Sequence, residues 1–267
     1  MNFFQAVLLA IIEGITEFLP VSSTGHMVLA TSGMGITADD FVKTFTVAIQ
    51  LGAILAVIAL YWKKFINFKD YKFYLKLLVA VIPALILGIL LNDFIDEKLG
   101  NPLFIACSLF GGGILFLFID NIFKTHSIRE EKNISVPKAF IIGCWQSLAI
   151  LLPGLSRSGA TIIGGMQQKL TRNLAAEFSF FLAVPTMFAA TGYKLYKFYD
   201  VHGGFTGEQI KLLGIGNLVA FIVAIFAIKG FIGIVKKYGF RIWGYYRIVL
   251  GLTVILIHYF VHPITVF

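Results

Sequence analysis

The sequence predicts an all-α integral membrane protein: an inverted-topology repeat with six transmembrane helices and two broken re-entrant helical hairpins. Three observations carry the prediction. Charged residues make up only 13% of the 267 and the set AVILMFWYC 58%, against about 25% charged in soluble domains, so polar surface is too scarce to cover a water-facing globule. Six apolar stretches are long enough to cross a bilayer. Two more are interrupted midway by proline, glycine and hydroxyl residues, and these two match each other at a fixed offset.

Along the chain, the first broken stretch covers residues 4–31. No Lys or Arg precedes Lys43, and Glu13 and Glu17 interrupt the apolar run, so a cleaved signal peptide is not expected. Plain spans follow at 40–62, 73–91 and 103–120. The second broken stretch, 138–168, comes next, and spans at 173–194, 212–228 and 242–261 complete the chain. Backbone freed by a break at membrane depth is tolerated only where protein or a watery cavity satisfies it, so both breaks point to a pocket. Cys107 and Cys144 are too few for a disulfide framework and sit in apolar sequence. The formal charge of +8 comes from basic residues between spans, which mark loops facing anionic lipid rather than a nucleic-acid partner.

Sliding the first broken stretch by 133 positions puts Glu13 on Gln146, Leu19-Pro20 on Leu152-Pro153, Ser23 on Ser156 and Phe45 on Phe178. Each half, 1–133 and 134–267, then reads as one re-entrant hairpin plus three spans. An odd number of crossings forces the halves into opposite orientations, with a site expected where the hairpins meet.

The first break carries acid and nucleophile chemistry. Glu13 and Glu17 lie one helical turn apart on one face, and at membrane depth they need a shared proton, a basic neighbour or a divalent cation. Ser22, Ser23, Thr24 and His26 follow directly, offering hydroxyl nucleophiles, a proton carrier and further ligands. The second break, Pro153-Gly154-Leu155-Ser156-Arg157-Ser158-Gly159-Ala160-Thr161, is complementary. Its glycines and helix start suit an anion, Arg157 grips phosphate oxygens bidentately, and Ser156, Ser158 and Thr161 add donors. An acidic half facing a phosphate-binding half suggests phosphoryl chemistry on a membrane ligand.

Taken together, Glu13-Gly14-Ile15-Thr16-Glu17, the Leu-Pro-x-Ser-Ser-Thr-Gly-His run ending at His26 and the Pro-Gly-x-Ser-Arg-Ser-x-x-Thr run at 153–161 resemble the signature motifs of the undecaprenyl-diphosphate phosphatase, or bacitracin-resistance protein, family. The resemblance implies a multi-pass enzyme of the bacterial plasma membrane. It would hydrolyse undecaprenyl diphosphate to the monophosphate and inorganic phosphate, recycling the lipid carrier for cell-wall peptidoglycan. It further implies a divalent cation, Mg2+ or Ca2+, held by Glu13 and Glu17, with Ser23 and His26 as nucleophile and acid/base candidates. Arg157, Ser156, Ser158 and Thr161, with Ser22 and Thr24, would bind the diphosphate. Whether Ser23 or His26 attacks, or both position water, stays open. A homodimer is the one protein partner allowed for.

The rival reading is a polyprenyl-phosphate flippase or secondary transporter, since broken helices at a repeat interface are also transporter architecture. For sidedness, the loops holding Lys63, Lys64, Lys69, Lys72, Lys76, Lys124, Arg129, Lys132, Lys138, Lys169, Arg172, Lys229, Lys236, Lys237, Arg241 and Arg247 far outnumber in basic residues those holding Lys43, Lys98, Lys194, Lys197 and Lys211, and the loop at 93–97 is acidic. The first side is expected to be cytoplasmic, which faces the Glu13 hairpin and the active site outward.

Overall fold

In the computed structural model, which describes residues 1–37, 39–261 and 263–264, thirteen α-helices appear among the described residues, and no strand longer than the isolated bridge Ile128–Leu170. The side chains of Asn92, Asp93 and Asp96, and with them part of the acidic loop, lie outside the described part. Helix α1 (Phe3–Thr16) opens with a reciprocal cap between Asn2 and Gln5. It stops before Pro20, whose ring and missing N–H cannot continue a helix, and α2 (Ser23–Gly33) returns. The first span consists of α3 (Asp40–Ala48) and α4 (Gln50–Leu60). Its hinge at Ile49 has a cause, because the Gly52 N–H donates at 2.7 Å to Asn217 Oδ1 from another helix, an intruding polar group of the kind that bends helices.

Short α5 (Trp62–Phe65) leads to α6 (Tyr71–Leu90), and α7 (Asn92–Leu99) leads to α8 (Pro102–Ile122). The second half repeats the plan with α9 (Val136–Leu151), α10 (Arg157–Gln167), α11 (Arg172–His202), α12 (Gly207–Tyr238) and α13 (Arg241–Phe260). Among the described residues, six helical segments have the length and apolarity to cross a membrane: Asp40–Leu60, Tyr71–Leu90, Pro102–Ile122, Arg172–His202, Gly207–Tyr238 and Arg241–Phe260. They are the six expected spans, and α11 and α12 run beyond the hydrocarbon lengths read from sequence. The chain is an all-α, multi-pass membrane protein, and both broken stretches form helix–break–helix hairpins.

Packing follows an exchange between halves. Helix α1 lies on α12, α9 lies on α6, and α8 pairs with α13. Small residues let these backbones approach. A methyl group on Gly14 would meet Ala220 O and Val223 Cβ, one on Gly143 would strike the Ala80 backbone, and one on Gly244 would meet Gly113 O. The two ends of the molecule carry different clusters. At one end Lys64 and buried Lys76 pair with Glu131, while Arg172 Nε (2.6 Å) and the Phe240 N–H (2.8 Å) both donate to Asp120. At the other, His202 meets Asp40 at 3.5 Å. The α1–α2 hairpin opens toward the second end and α9–α10 toward the first.

Apolar packing beneath the breaks is aromatic. Phe18 and Phe180 meet edge to face at 5.3 Å, and Phe73 and Phe181 at 5.6 Å. Because Gly143 abuts backbone rather than a yielding side chain, Gly143→Leu should destabilise the protein by about 1–3 kcal/mol through overpacking. Gly88→Leu, with open space around it, should change stability by less than about 0.5 kcal/mol. Thermal unfolding of the two variants in detergent measures both.

Candidate active site

Each hairpin turns at a serine forced into an unusual backbone conformation. Ser22 has φ 67° and Ser156 φ 75°, the left-handed region that costs a non-glycine residue about 1–3 kcal/mol unless its surroundings hold it there. Both serines cap the returning helix: Ser22 Oγ accepts from the Gly25 N–H at 3.3 Å and Ser156 Oγ from the Gly159 N–H at 3.2 Å. These two, rather than Ser23 and Ser156, are therefore structural counterparts. The 133 offset holds for α1 and α9, and the second break then adds one residue between its proline and its capping serine. Ser23 thereby corresponds to Arg157, since each is the first residue of its returning helix.

Those two first residues converge on one carboxylate. Ser23 Oγ donates to Glu17 Oε2 at 2.6 Å, and Arg157 Nη2 donates to Glu17 Oε1 at 3.2 Å. Arg157 also donates through Nη1 to Ser179 O at 3.0 Å and lies 5.9 Å over the Phe18 ring. Its Nε is buried with no hydrogen-bond partner among the described residues, as is Glu13 Oε1. Glu13 is itself buried and interacts electrostatically with both Glu17 and Arg157. Glu13, Ser23 and Thr24 line a cavity of about 440 Å³ that extends to Lys43, Lys194 and Lys197.

The other expected site residues are committed elsewhere. Ser158 Oγ donates to Leu19 O at 2.8 Å, joining the two breaks directly, and lies 3.0 Å from Ser156 Oγ. Thr161 Oγ1 donates to Ser179 Oγ at 2.6 Å. His26 sits apart from the Glu17 cluster: Nδ1 is 2.8 Å from Ser22 O and Nε2 is 2.7 Å from the Tyr246 hydroxyl. The hydroxyls of Ser22, Ser156, Ser158 and Thr161 thus hold the breaks in shape, whereas Ser23 and Thr24 face the cavity.

Sequence reasoning missed three partners. Ser179 anchors both Arg157 and Thr161, and Tyr246 holds His26. Arg247, counted from sequence among loop cations, is fully buried within α13. It donates to Pro20 O at 3.0 Å and to Gly154 O at 3.1 Å, so one guanidinium ties the two breaks together. The signal was present, because position 247 falls inside the expected 242–261 span, where an arginine must have buried acceptors. Removing it from the loop count leaves the charge asymmetry intact.

Comparison with known proteins bears on this geometry. A family model described as bacitracin resistance protein BacA matches residues 6–253. Proteins named undecaprenyl-diphosphatase are similar over nearly the whole length. The one from Flavobacterium psychrophilum is 56% identical over 265 residues, 99% of either chain. That from Porphyromonas gingivalis W83 is 52% identical, covering 94% of this chain and 95% of its own, and that from Aquifex aeolicus 46%, covering 95% and 97%. The matched region contains both hairpins and every residue of the Glu17 cluster, and the chain belongs to the bacitracin resistance protein BacA family.

Proposed function

We propose that this chain is an undecaprenyl-diphosphatase, a membrane phosphatase that converts undecaprenyl diphosphate and water to undecaprenyl phosphate and inorganic phosphate. The observation that carries the reading is the 2.6 Å hydrogen bond from Ser23 Oγ to Glu17, on a carboxylate also held by Arg157. A hydroxyl paired with a buried base and flanked by a guanidinium is an activated nucleophile beside an anion clamp. A transporter needs binding groups at its repeat interface but not this pairing.

In the mechanism, Ser23 Oγ attacks the terminal phosphorus and its proton passes to Glu17. The bond between that phosphorus and the bridging oxygen breaks, releasing undecaprenyl phosphate. Glu17 gives up that proton to the departing lipid phosphate. Water then attacks the phosphoserine, Glu17 takes the water's proton and returns it to Ser23 Oγ as the bond from phosphorus to serine breaks, and inorganic phosphate leaves. Arg157, with Nε unspent, neutralises charge on the transferring group, the main catalytic requirement of phosphoryl transfer. His26 is held by Tyr246 and the Ser22 carbonyl rather than by Ser23, which favours a positioning or proton-carrying role over attack. The polyprenyl tail remains in lipid beside the spans, and only the headgroup enters the protein.

A divalent cation fits the donors present. Glu13 presents a buried oxygen with no hydrogen-bond partner among the described residues, and small hard cations at phosphate sites take one or two carboxylates, with phosphate oxygens and water completing the shell. That accommodates the lack of any cluster of three or more His, Cys, Asp or Glu among the described residues. When bound, the cation would neutralise diphosphate charge. Glu13 would be its first protein ligand, and Glu17, already shared by Ser23 and Arg157, the second. We take residues 1–133 and 134–267 as the two inverted repeats, with the cavity of the first facing outward across the plasma membrane. The basic-loop asymmetry supports that orientation.

Purified protein in detergent should release inorganic phosphate from undecaprenyl diphosphate, lose the activity with a chelator and regain it with Mg2+ or Ca2+. Detergent leaves no second compartment, so a carrier would release none. Ser23→Ala and Glu17→Gln should each cost at least about 100-fold in kcat, and the double variant should be little worse than the poorer single, as for groups acting as one unit.

Arg157→Lys keeps the charge but replaces a planar fork tied to both Glu17 and Ser179 with a point charge. Its kcat/KM should fall about 100-fold or more, and a near-normal value would remove Arg157 from the phosphate site.

Orientation is readable with single cysteines at Lys98 and Lys69 in a protein lacking Cys107 and Cys144. A membrane-impermeant thiol reagent on intact cells should label position 98 and spare 69, and the reverse pattern would invert the assignment.

A further inference from the structure

The cavity that reaches Glu13 and Ser23 has a basic mouth that the reaction described above does not use. Lys43 on α3 and Lys194 and Lys197 on α11 line it. Lys194, Lys197 and Val201 recur at i, i+3 and i+7, on one face of α11, and all three line the cavity. That face meets α3 where Phe41 packs edge to face on Phe198 at 6.2 Å. Lys43 and Lys194 are half-buried and Lys197 exposed, which grades the cations from the interior outward. None of the three forms an ion pair among the described residues. Lys98, from the same end of the molecule, is instead paired with Glu97 at 2.7 Å. The carboxylate at this mouth, Asp40, sits with His202, and Arg157, bound to Glu17 beside Ser23, is not one of the mouth's cations.

Charge usage across the molecule makes the cluster informative. The lysine-poor end holds Lys43, Lys98, Lys194, Lys197 and Lys211, and it places three of these around one opening. Half-burying an ammonium without a counter-ion is unfavourable, so a site that does so twice, with a third unpaired lysine exposed beside the pair, is suited to an anion that comes and goes. Lysine is the fitting residue, since a mobile point charge handles a small hydrated anion without fixing its orientation, whereas arginine clamps.

The two products leave differently. Undecaprenyl phosphate is carried off by its tail, but inorganic phosphate is a small, multiply charged ion set free beside Ser23 at membrane depth, where unpaired charge is costly. Its exit to water is the opening that Glu13, Ser23 and Thr24 share with the three lysines.

We propose that Lys43, Lys194 and Lys197 form an orthophosphate-holding vestibule, through which the released phosphate leaves and in which external phosphate acts as a product inhibitor by occupying the headgroup's path. This rests on the phosphatase reading and adds to it a defined binding place for the soluble product.

The test follows undecaprenyl monophosphate formation in detergent by mass spectrometry while orthophosphate is added at constant ionic strength, with chloride as the balancing salt. Orthophosphate should raise the apparent KM of the wild type. In K43Q/K194Q/K197Q the inhibition constant should rise by at least about tenfold, in the range that a focused field contributes. K43R/K194R/K197R, which keeps the charges, should remain inhibited. An inhibition constant unchanged in the glutamine variant would overturn the proposal, as would loss of inhibition in the arginine variant.

Calorimetric titration of orthophosphate into each protein without lipid substrate reads binding apart from turnover and does not require an active variant. Binding by the wild type that is lost in the glutamine variant supports the vestibule even if no monophosphate forms, a result that would count against the phosphatase reading alone. Monophosphate formation without wild-type phosphate binding would sink the vestibule and leave the phosphatase standing.

Discussion

Glu17 is the point on which the rest of the structure turns. A carboxylate at membrane depth is stable only with donors in place, and here they come from two hairpins that start at opposite ends of the molecule: Ser23 from one, Arg157 from the other. The pairing therefore fixes the geometry of the Glu17 cluster and docks the two hairpins at once. Removing one partner of a buried pair typically costs about 3–5 kcal/mol, because the other is left uncompensated, so the site groups also hold the fold together.

The breaks would be untenable without a second layer of contacts. Irregular backbone leaves carbonyls that lipid cannot satisfy, and three of them are met by side chains reaching across the interface. Ser158 donates to Leu19 O, and Arg247 donates to Pro20 O and Gly154 O. Arg247 stacks over Phe116 at 5.7 Å while doing so. The left-handed serines at 22 and 156 persist in this frame because their hydroxyls cap the returning helices and their carbonyls continue into them.

Periodic and compositional features were legible in the sequence because they act locally. Span length follows from bilayer thickness, and a proline followed by small and hydroxyl residues breaks a helix wherever it occurs. Partners distant in sequence were not legible. Nothing near Arg157 names Ser179, nothing near His26 names Tyr246, and Arg247 entered a loop count although it lay inside a span. The likeness of the two broken stretches was visible, but its register slipped at the break, since an ungapped slide cannot register one added residue in the turn. That slip concealed the correspondence of Ser23 with Arg157. The hydroxyls of Ser156, Ser158 and Thr161 looked like ligand donors because a sequence shows that they can donate, not that Ser158 is already taken by Leu19 O, Thr161 by Ser179 Oγ and Ser156 by the Gly159 N–H and Ser158.

Two halves of similar plan raise the question of what distinguishes them. The answer lies at the corresponding positions 13 and 146. Gln146 is buried and satisfied within the protein, donating to Thr186 Oγ1 at 3.1 Å. Glu13 is equally buried, with an oxygen that no described group meets. An amide in the second hairpin closes its network with neutral hydrogen bonds, whereas a carboxylate in the first leaves a charge that only a proton, a cation or a substrate can complete. The same asymmetry extends to the residues that begin the returning helices, a hydroxyl at 23 and a guanidinium at 157. Each half thus supplies what the other lacks, and the cavity containing Glu13 and Ser23 opens at the end where the first hairpin begins. These few side-chain differences set two hairpins of similar backbone apart.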